Sequence, residues 1–304
     1  MDYWDAARRC WMAAEAAIGD PQADRSSVTM KPMSRIALLR QTTPIAITGL
    51  RGAGKTLLYE SLIGKVGQSG VDYVVKGRSN DVEKHKTLLI SRNGKIRIGA
   101  IVIPGQDSDE RGAALGKYFS GGKFPAGVIH VVCWGYNRIW ESYERQSVRQ
   151  ELSVKRVPVD LEAVNKWNLN RELRDFTDTC QLLKDAWGTR KKQVWLIIAV
   201  AKCDLFWPQM ADVRNYYIPN ASVSALREAA QRESEFCGIL RDFVGYVGEA
   251  NCRLAVVPVS CYPEEYMFEP GIARAAEANP ARTQVLVNTF RNMVGEFCAR
   301  QVGQ

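Results

Sequence analysis

The residues from Pro44 to Thr56 read PIAITGLRGAGKT, in which glycines, a lysine and a threonine stand at a fixed spacing. An apolar run leads into Gly49, and Gly54, Lys55 and Thr56 come directly before the helical sequence LLYESLIG. Glycines let successive backbone N–H groups turn towards an anion, and the dipole of the helix adds positive potential at the same place. This strand, loop and helix, with the pattern GxxxxGK[ST], predicts a phosphate-binding loop.

Individual residues of this loop have separate predicted roles. Lys55 is expected to reach the β- and γ-phosphates of a nucleoside triphosphate, and the Thr56 hydroxyl to bind Mg²⁺. The other predicted nucleotide-binding residues of the loop are Gly49, Arg51, Gly52, Ala53, Gly54 and Leu57. A chance match in a glycine-rich turn is the alternative, and the flanking strand and helix argue against it.

Short apolar runs alternate with helical patterns from Pro44 onward, which is typical of a parallel sheet covered by helices. The predicted strands are residues 45–48, 87–91, 95–103, 128–134, 194–201 and 254–259. Asn93-Gly94, between the second and third strands, favours a hairpin turn. We therefore predict an α/β fold with a mostly parallel sheet of about six strands, one antiparallel pair, and helices on both faces.

The helical patterns divide the chain into a short N-terminal part and one large domain. The predicted helices of the domain are residues 55–65, 109–119, 170–187, 222–249 and 282–300. About 60 residues separate the fourth strand from the fifth, where a crossover needs only a dozen or more. We predict a domain over residues 44–304 with an insertion at 138–168.

The N-terminal part, residues 1–43, begins with an amphipathic pattern. Trp4, Ala7, Trp11, Ala14 and Ile18 recur at three- and four-residue steps, which predicts a helix over residues 3–18. Its apolar face is expected to dock on the protein's own domain, and a partner-binding or membrane-surface helix is the alternative. Residues 21–43 are rich in serine, proline and charge and are predicted to be a linker.

Composition limits the classes of partner and compartment. The 304-residue chain has a formal charge of +8, but its basic residues are spread out, so we expect no direct nucleic-acid partner. A mildly basic surface could instead face an acidic protein. Eight cysteines without a CxxC pair indicate reduced thiols. The longest strongly apolar run, VWLIIAVA, is shorter than the roughly 20 residues of a membrane span, and no signal sequence is recognisable, so a cytoplasmic protein is predicted.

With the phosphate loop, the predicted hairpin, the sequence IRIGAIVIPGQD and the later strands, the chain resembles a small Ras- or Arf-like GTPase domain. The resemblance runs from Pro44 to Arg300 at the level of motifs, and GQD and GVIHVVCWGYN are similar to Arf sequences in particular. It implies GTP or GDP and Mg²⁺ as ligands.

In this family the third strand ends in D-x-x-G, where the glycine senses the γ-phosphate and a following glutamine orients the attacking water. Gly105 and Gln106 match, which makes Gln106 and Lys55 the candidate catalytic residues, while Val102 replaces the aspartate that supports Mg²⁺.

The family's base-reading motif, N/T-K-x-D, resembles Ala201-Lys202-Cys203-Asp204. The resemblance implies that Asp204 accepts hydrogen bonds from guanine and that the Lys202 stem lies along the ring. Ala201 lacks the side chain that helps to tie the base loop to the phosphate loop. After the last strand, Ser260-Cys261 looks like the family's S-A turn, whose backbone N–H can meet the guanine O6.

A threonine of the family closes over the γ-phosphate and Mg²⁺, and Thr87 is the candidate for that place, with an ordinary strand threonine as the alternative. We expect structural rather than catalytic roles for His85 and His130.

These features together predict a GTP-binding switch with slow hydrolysis. Its loops near Thr87 and Gly105 would order around the γ-phosphate, and its output would pass to a protein partner or a second copy of the chain, through the switch loops, the N-terminal helix or the insertion. The alternatives are a guanine-nucleotide-binding module without hydrolysis and an ATP-using phosphate-loop protein.

Overall fold

Six strands form the central sheet of the computed structural model, which describes residues 4–19, 42–64, 82–91, 94–105, 109–120, 124–190, 193–219 and 233–302. The strands are β1 Thr43–Gly49, β2 Glu83–Ser91, β3 Gly94–Val102, β4 Gly127–Val132, β5 Val194–Val200 and β6 Cys252–Pro258. They lie in the order β2-β3-β1-β4-β5-β6. β2 is antiparallel to β3, and the other pairs are parallel. The predicted mostly parallel sheet with one antiparallel pair is confirmed.

Helices cover both faces of this sheet. They are α1 Trp4–Gly19, α2 Lys55–Leu62, α3 Asp109–Leu115, α4 Ser142–Val154, α5 Leu161–Arg190, α6 Met210–Tyr217, α7 Glu235–Val247 and α8 Pro280–Val302. One core, containing Ile47 and Leu58, lies under α2 and α8, and the other lies under α1, α3, α5, α6 and α7. Strands such as β5, VWLIIAV, read as unbroken apolar runs because they are buried on both faces.

The hairpin between β2 and β3 has the predicted place. Ser91 pairs with Gly94, so the two residues between them are Arg92 and Asn93, which lie outside the described residues. Gly94 has a φ of +106°, a conformation that favours glycine.

α1 packs along β6, at the edge of the sheet. Trp4 and Trp11 are buried in one core, and Cys10 packs against the other. Arg8 donates to the Pro219 carbonyl at 2.9 Å. The predicted docking of this helix on its own domain is therefore what the structure shows. The linker predicted at 21–43 lies outside the described residues except for Thr42 and Thr43.

The region predicted as an insertion is helical. It contains α4 and the beginning of α5, which starts at Leu161 rather than at the predicted residue 170. Asp160 caps α5 by accepting from the Ala163 N–H at 2.8 Å. The early turns escaped prediction because Asn165 and Asn168 break the apolar pattern, although both donate to the loop after β4.

Three other differences from prediction concern the C-terminal half, and the first is α6, which has no predicted counterpart. The helix predicted at 222–249 is described as α7, which begins after the N-cap residue Ser234, and residues 220–232 lie outside the described part. A short hairpin of β7 Tyr266–Glu269 and β8 Ile272–Arg274 was not predicted, since strands of this length carry little pattern. No helix in the described ranges is long and apolar enough to cross a membrane.

The connections of the sheet create a crevice at β1. This strand lies between β3 and β4, so the chain passes to one side of β1 and then to the other. In open α/β sheets, ligands bind outside the carboxyl ends of the strands at such a reversal. The loop at 49–56 leaves the carboxyl end of β1.

Candidate functional site

The loop between β1 and α2 depends on glycine at two positions. Gly49 has a φ of +129°, and a Cβ added there would lie 2.3 Å from the Val131 carbonyl oxygen. Gly52 has a φ of +76°, and its added Cβ would lie 2.2 Å from the Arg138 oxygen. No side chain fits at either place. The glycines of the predicted pattern therefore set the path of the loop and let neighbouring backbone pack directly against it.

Lys55 is the first residue of α2 and is buried, with 9% of its surface exposed. Its Nζ donates to the Gly49 carbonyl at 2.8 Å and to the Leu50 carbonyl at 3.1 Å. Burial lowers the pKa of Lys55 to about 8, and the nearby Asp175 carboxylate partly offsets that effect. The N–H groups at the start of a helix have no carbonyl partner within it, so the charge of this amine adds to the positive end of the helix dipole.

Gly105 lies in the turn after β3 and contacts the predicted phosphate-binding loop directly. Its carbonyl accepts from the Arg51 N–H at 2.8 Å, and an added Cβ would lie 2.3 Å from the Lys55 Nζ. The turn after β3 therefore lies beside the lysine. Val102 is 4% exposed in the apolar core. Gln106 lies outside the described residues.

The loop after β5 is tied to the phosphate loop by Lys202. Its backbone is left-handed, with a φ of +61°, and its Nζ donates to the Gly52 carbonyl at 2.8 Å and to the Tyr136 carbonyl at 2.7 Å. Ala201 has no polar side chain with which to make such a tie. The lysine thus supplies a link between the two loops that the sequence alone left in doubt.

Asp204 is held in a fixed orientation by the loop after β6. Its Oδ1 accepts from the Ser260 hydroxyl at 2.7 Å, and Asp204 is only 3% exposed. Burial raises the pKa of Asp204, and the Ser260 hydrogen bond opposes that rise. Cys261 is fixed in turn because its sulfur accepts from the Ser61 hydroxyl of α2 at 3.1 Å.

One pocket joins the phosphate loop to the two later loops. Its lining includes Ala53, Gly54 and Leu57 from the first, and Lys202, Asp204 and Cys261 from the others. These six residues were all predicted from sequence to contact nucleotide. Sequence reasoning missed the remaining lining residues, which are Arg138, Ala201, Leu205, Tyr262, Glu264, Glu265 and Tyr266.

Thr87 requires a correction. It pairs with Ile98 of β3, and Ile98 also pairs with Thr43 at the beginning of β1. Gly49 lies at the opposite end of β1, roughly 20 Å away at about 3.3 Å per residue. Thr87 is therefore an ordinary strand threonine here, since β2 begins at Glu83 and carries it away from the loop. Thr56, the other predicted metal ligand, is partly exposed in the first turn of α2.

Arg51 makes ion pairs that were not predicted from the sequence. Its guanidinium bonds Glu144 at 2.9 Å and Glu141 at 3.2 Å, at the beginning of α4. The Arg138 N–H also donates to the Gly52 carbonyl at 3.2 Å. The phosphate loop is therefore joined to the region predicted as an insertion.

A buried polar cluster lies next to the loop on the other face of the sheet. Thr48 Oγ1 and His130 Nδ1 share a hydrogen bond of 3.0 Å, and His130 Nε2 lies 3.8 Å from Asp175. Asp175 also pairs with Arg111 of α3. Burial lowers the pKa of His130 to about 4, so the imidazole is neutral near pH 7. The cluster connects α3 and α5, which agrees with the structural role expected for His130.

Clusters of three or more histidine, cysteine or acidic side chains suited to a metal ion are absent from the described residues. Neither the comparison with protein-family models nor that with curated proteins finds a match for this chain.

Proposed function

We propose that this chain is a guanine-nucleotide-binding switch that takes GTP and GDP with Mg²⁺ and hydrolyses GTP slowly. The observation that carries the proposal is the place of Asp204. Ser260 holds its carboxylate in a pocket that also includes Ala53 and Gly54 of the phosphate loop. The candidate base acceptor and the predicted phosphate-binding loop thus line one pocket.

Asp204 would select the base. One carboxylate oxygen accepts from Ser260, so a carboxylate with up to four lone-pair sites retains acceptors for the N1–H and exocyclic amine of guanine. Adenine offers no such pair of donors. A site built around buried hydrogen-bonding groups rejects an unmatched base because its own polar groups are left unpaired.

Lys55 and the N–H groups of the first turn of α2 would bind the negatively charged phosphates. Mg²⁺ keeps several waters and is bound through few protein ligands beside the phosphates, so the absence of an acidic cluster from the described residues is compatible with its binding. The Thr56 hydroxyl would be its ligand in this chain. When bound, the ion would neutralise charge on the phosphates.

Slow hydrolysis is proposed because one part of the catalytic set matches the family and another does not. Gln106 would orient the attacking water, and Lys55 would stabilise charge in the transition state. Val102 places a buried apolar side chain where the resembled family has a carboxylate. The same observation favours the second candidate, a module that binds guanine nucleotide without hydrolysis.

Competition among GTP, XTP and ATP on wild type and Asp204→Asn tests the base assignment. Wild type should prefer GTP. In Asp204→Asn an amide donor would face the guanine amine, whereas xanthine carries a carbonyl there, so the order of GTP and XTP should reverse. Each unpaired polar group should cost about 1–3 kcal/mol. Asp212→Asn, an exposed aspartate on α6, is the control and should keep the wild-type order.

A wild-type preference for ATP, or an equal loss of all three nucleotides in Asp204→Asn, would contradict the proposal. Single-turnover GTP hydrolysis is then measured for wild type and Gln106→Leu. It distinguishes a switch that hydrolyses GTP from a module that binds guanine nucleotide without hydrolysis. The switch requires measurable turnover that falls in Gln106→Leu while GTP affinity stays within about threefold.

A further inference from the structure

An open groove lies between α4 and the β7–β8 hairpin. Its lining includes Arg138, Trp140, Arg145, Arg149, Met267 and Glu269. Arg138 also lines the nucleotide pocket, so the groove and the pocket are neighbours.

The sequence of α4 gives it three faces with separate tasks. Glu144 extends to Arg51 in the phosphate loop, and Val148 and Leu152 are buried in the core. Arg145 and Arg149, four residues apart, lie on a further face and line the groove. On this last face Arg145 is partly exposed and Arg149 is exposed, while Val148 and Leu152 hold the helix to the core.

The groove carries an excess of positive charge. Its three arginines face one carboxylate, Glu269, which pairs with Arg149. Arg138 pairs with Glu264, outside the groove lining. Arg145 donates to the Ile139 carbonyl at 3.4 Å, a long contact for a charged donor. The guanidinium of Arg145 is thus the group best placed to receive a carboxylate.

Large apolar side chains are exposed beside these charges. Trp140 is 39% exposed and Met267 is 46% exposed. Tryptophan, methionine and arginine are enriched where proteins bind one another, and tryptophan and arginine supply much of the binding free energy there. The combination fits a protein segment with both apolar and acidic side chains.

A single-stranded nucleic acid fits less well. The Glu269 carboxylate in the groove lining would repel a backbone charged at every nucleotide. A peptide can place a carboxylate on Arg145 and avoid that glutamate.

We propose that this groove docks a segment of a partner protein that carries a carboxylate for Arg145 and an aromatic side chain for the Trp140 and Met267 surface. The docking concerns a surface beside the nucleotide pocket and is independent of whether that pocket binds GTP.

A fluorescein-labelled copolymer of glutamate and tyrosine is the probe, and its anisotropy is measured with the full chain at near-physiological salt and without nucleotide. Arg145→Glu should weaken binding about tenfold or more, because a reversed charge faces the carboxylates directly. Lys166→Glu makes the same change of charge at an exposed site on α5 and should remain within about twofold of wild type. Circular dichroism checks the fold, and Arg145→Ala, which adds no repulsion, should show a smaller loss in the same direction.

A second comparison tests the apolar contact. Trp140→Ala should weaken binding of the copolymer and leave binding of polyglutamate unchanged, since only the copolymer presents an aromatic ring. Equal losses in Arg145→Glu and Lys166→Glu would show a diffuse charge effect and overturn the proposal. An unlabelled oligothymidylate that displaces the copolymer more strongly than polyglutamate does, and loses this ability in Arg145→Glu, would assign the groove to nucleic acid instead.

Discussion

The two ends of the pocket, which we propose bind the base and the phosphates and call the base end and the phosphate end, differ in how their side chains are supported. At the base end, the Asp204 carboxylate accepts a hydrogen bond from Ser260. Lys202 donates to the backbone carbonyls of Gly52 and Tyr136. At the phosphate end, Lys55 donates to the Gly49 carbonyl and Gly105 lies against the Lys55 amine. Val102, in contrast, offers no oxygen to a metal.

The difference suggests that the two tasks of the site are separable. Selection of a base needs a fixed acceptor, whereas hydrolysis needs charge stabilisation at atoms that change during the reaction. A site that keeps the first set and loses part of the second would bind nucleotide selectively and turn it over slowly. The following experiments act on one end at a time.

The largest effect is expected from Lys55→Ala. The substitution removes a buried charge from the phosphate end, and loss of a charge-assisted contact costs about 1.5–3 kcal/mol, or roughly 10- to 150-fold in affinity. Isothermal titration with GTP and ATP should show the same proportional loss for both, because the base end is untouched. Lys155→Ala, at an exposed lysine after α4, is the control. Unchanged GTP affinity in Lys55→Ala would remove the phosphate loop from the site.

Ser260→Ala should disturb the base end alone. Without the hydroxyl, Asp204 loses a donor, which should cost about 1–2 kcal/mol of GTP affinity while ATP affinity hardly changes. The pKa of Asp204 should rise further, so GTP binding should fail at a higher pH on the acid side than in wild type. Competition titrations between pH 5 and 7 measure both effects. A parallel loss of GTP and ATP would mean that Ser260 supports the fold rather than the acceptor.

The pH dependence of binding above neutrality reports on the phosphate end. The pKa of Lys55 is about 8 in the free protein, and a bound triphosphate should raise it. Below pH 8 the amine is protonated with or without nucleotide, and above pH 8 it must regain a proton on binding. GTP affinity should therefore decline as pH rises from 8 to 9, by up to about tenfold per unit. Titrations of wild type and Lys55→Met, which has no amine, separate this group from others. Identical pH profiles would contradict the assignment.

The smallest effect is expected from Val102→Asp, which tests the group missing from the phosphate end. The new carboxylate should strengthen the Mg²⁺ dependence of GTP binding only slightly, since it would act through water and burial at this position disfavours its charged form. Val102→Asn has similar size without charge and serves as the matched control for burying a polar group. A folded Val102→Asp with the same Mg²⁺ titration as Val102→Asn would count against the alignment of β3 with the D-x-x-G strand.

Local patterns in the sequence were sufficient for most of the fold. All six strands of the sheet lie where apolar runs indicated. The signal is strongest for β1, β4, β5 and β6, which are buried almost throughout, and weaker for β2 and β3, which have exposed residues. The beginning of α5 was hidden since Asn165 and Asn168 serve the loop after β4 instead of the apolar core. β7 and β8 were missed because they are short.

The sequence by itself determined the chemistry of the separate loops: glycines before α2 and a lysine at its first position, a lysine and an aspartate after β5, and a serine after β6. These signals are local, since each depends on residues that are neighbours along the chain. Only the tertiary structure decided which loops meet. Strand register carried Thr87 away from the pocket, and packing of α4 brought Glu141 and Glu144 to Arg51. Contacts between residues far apart in sequence follow from strand order and helix packing, which no single stretch of residues encodes.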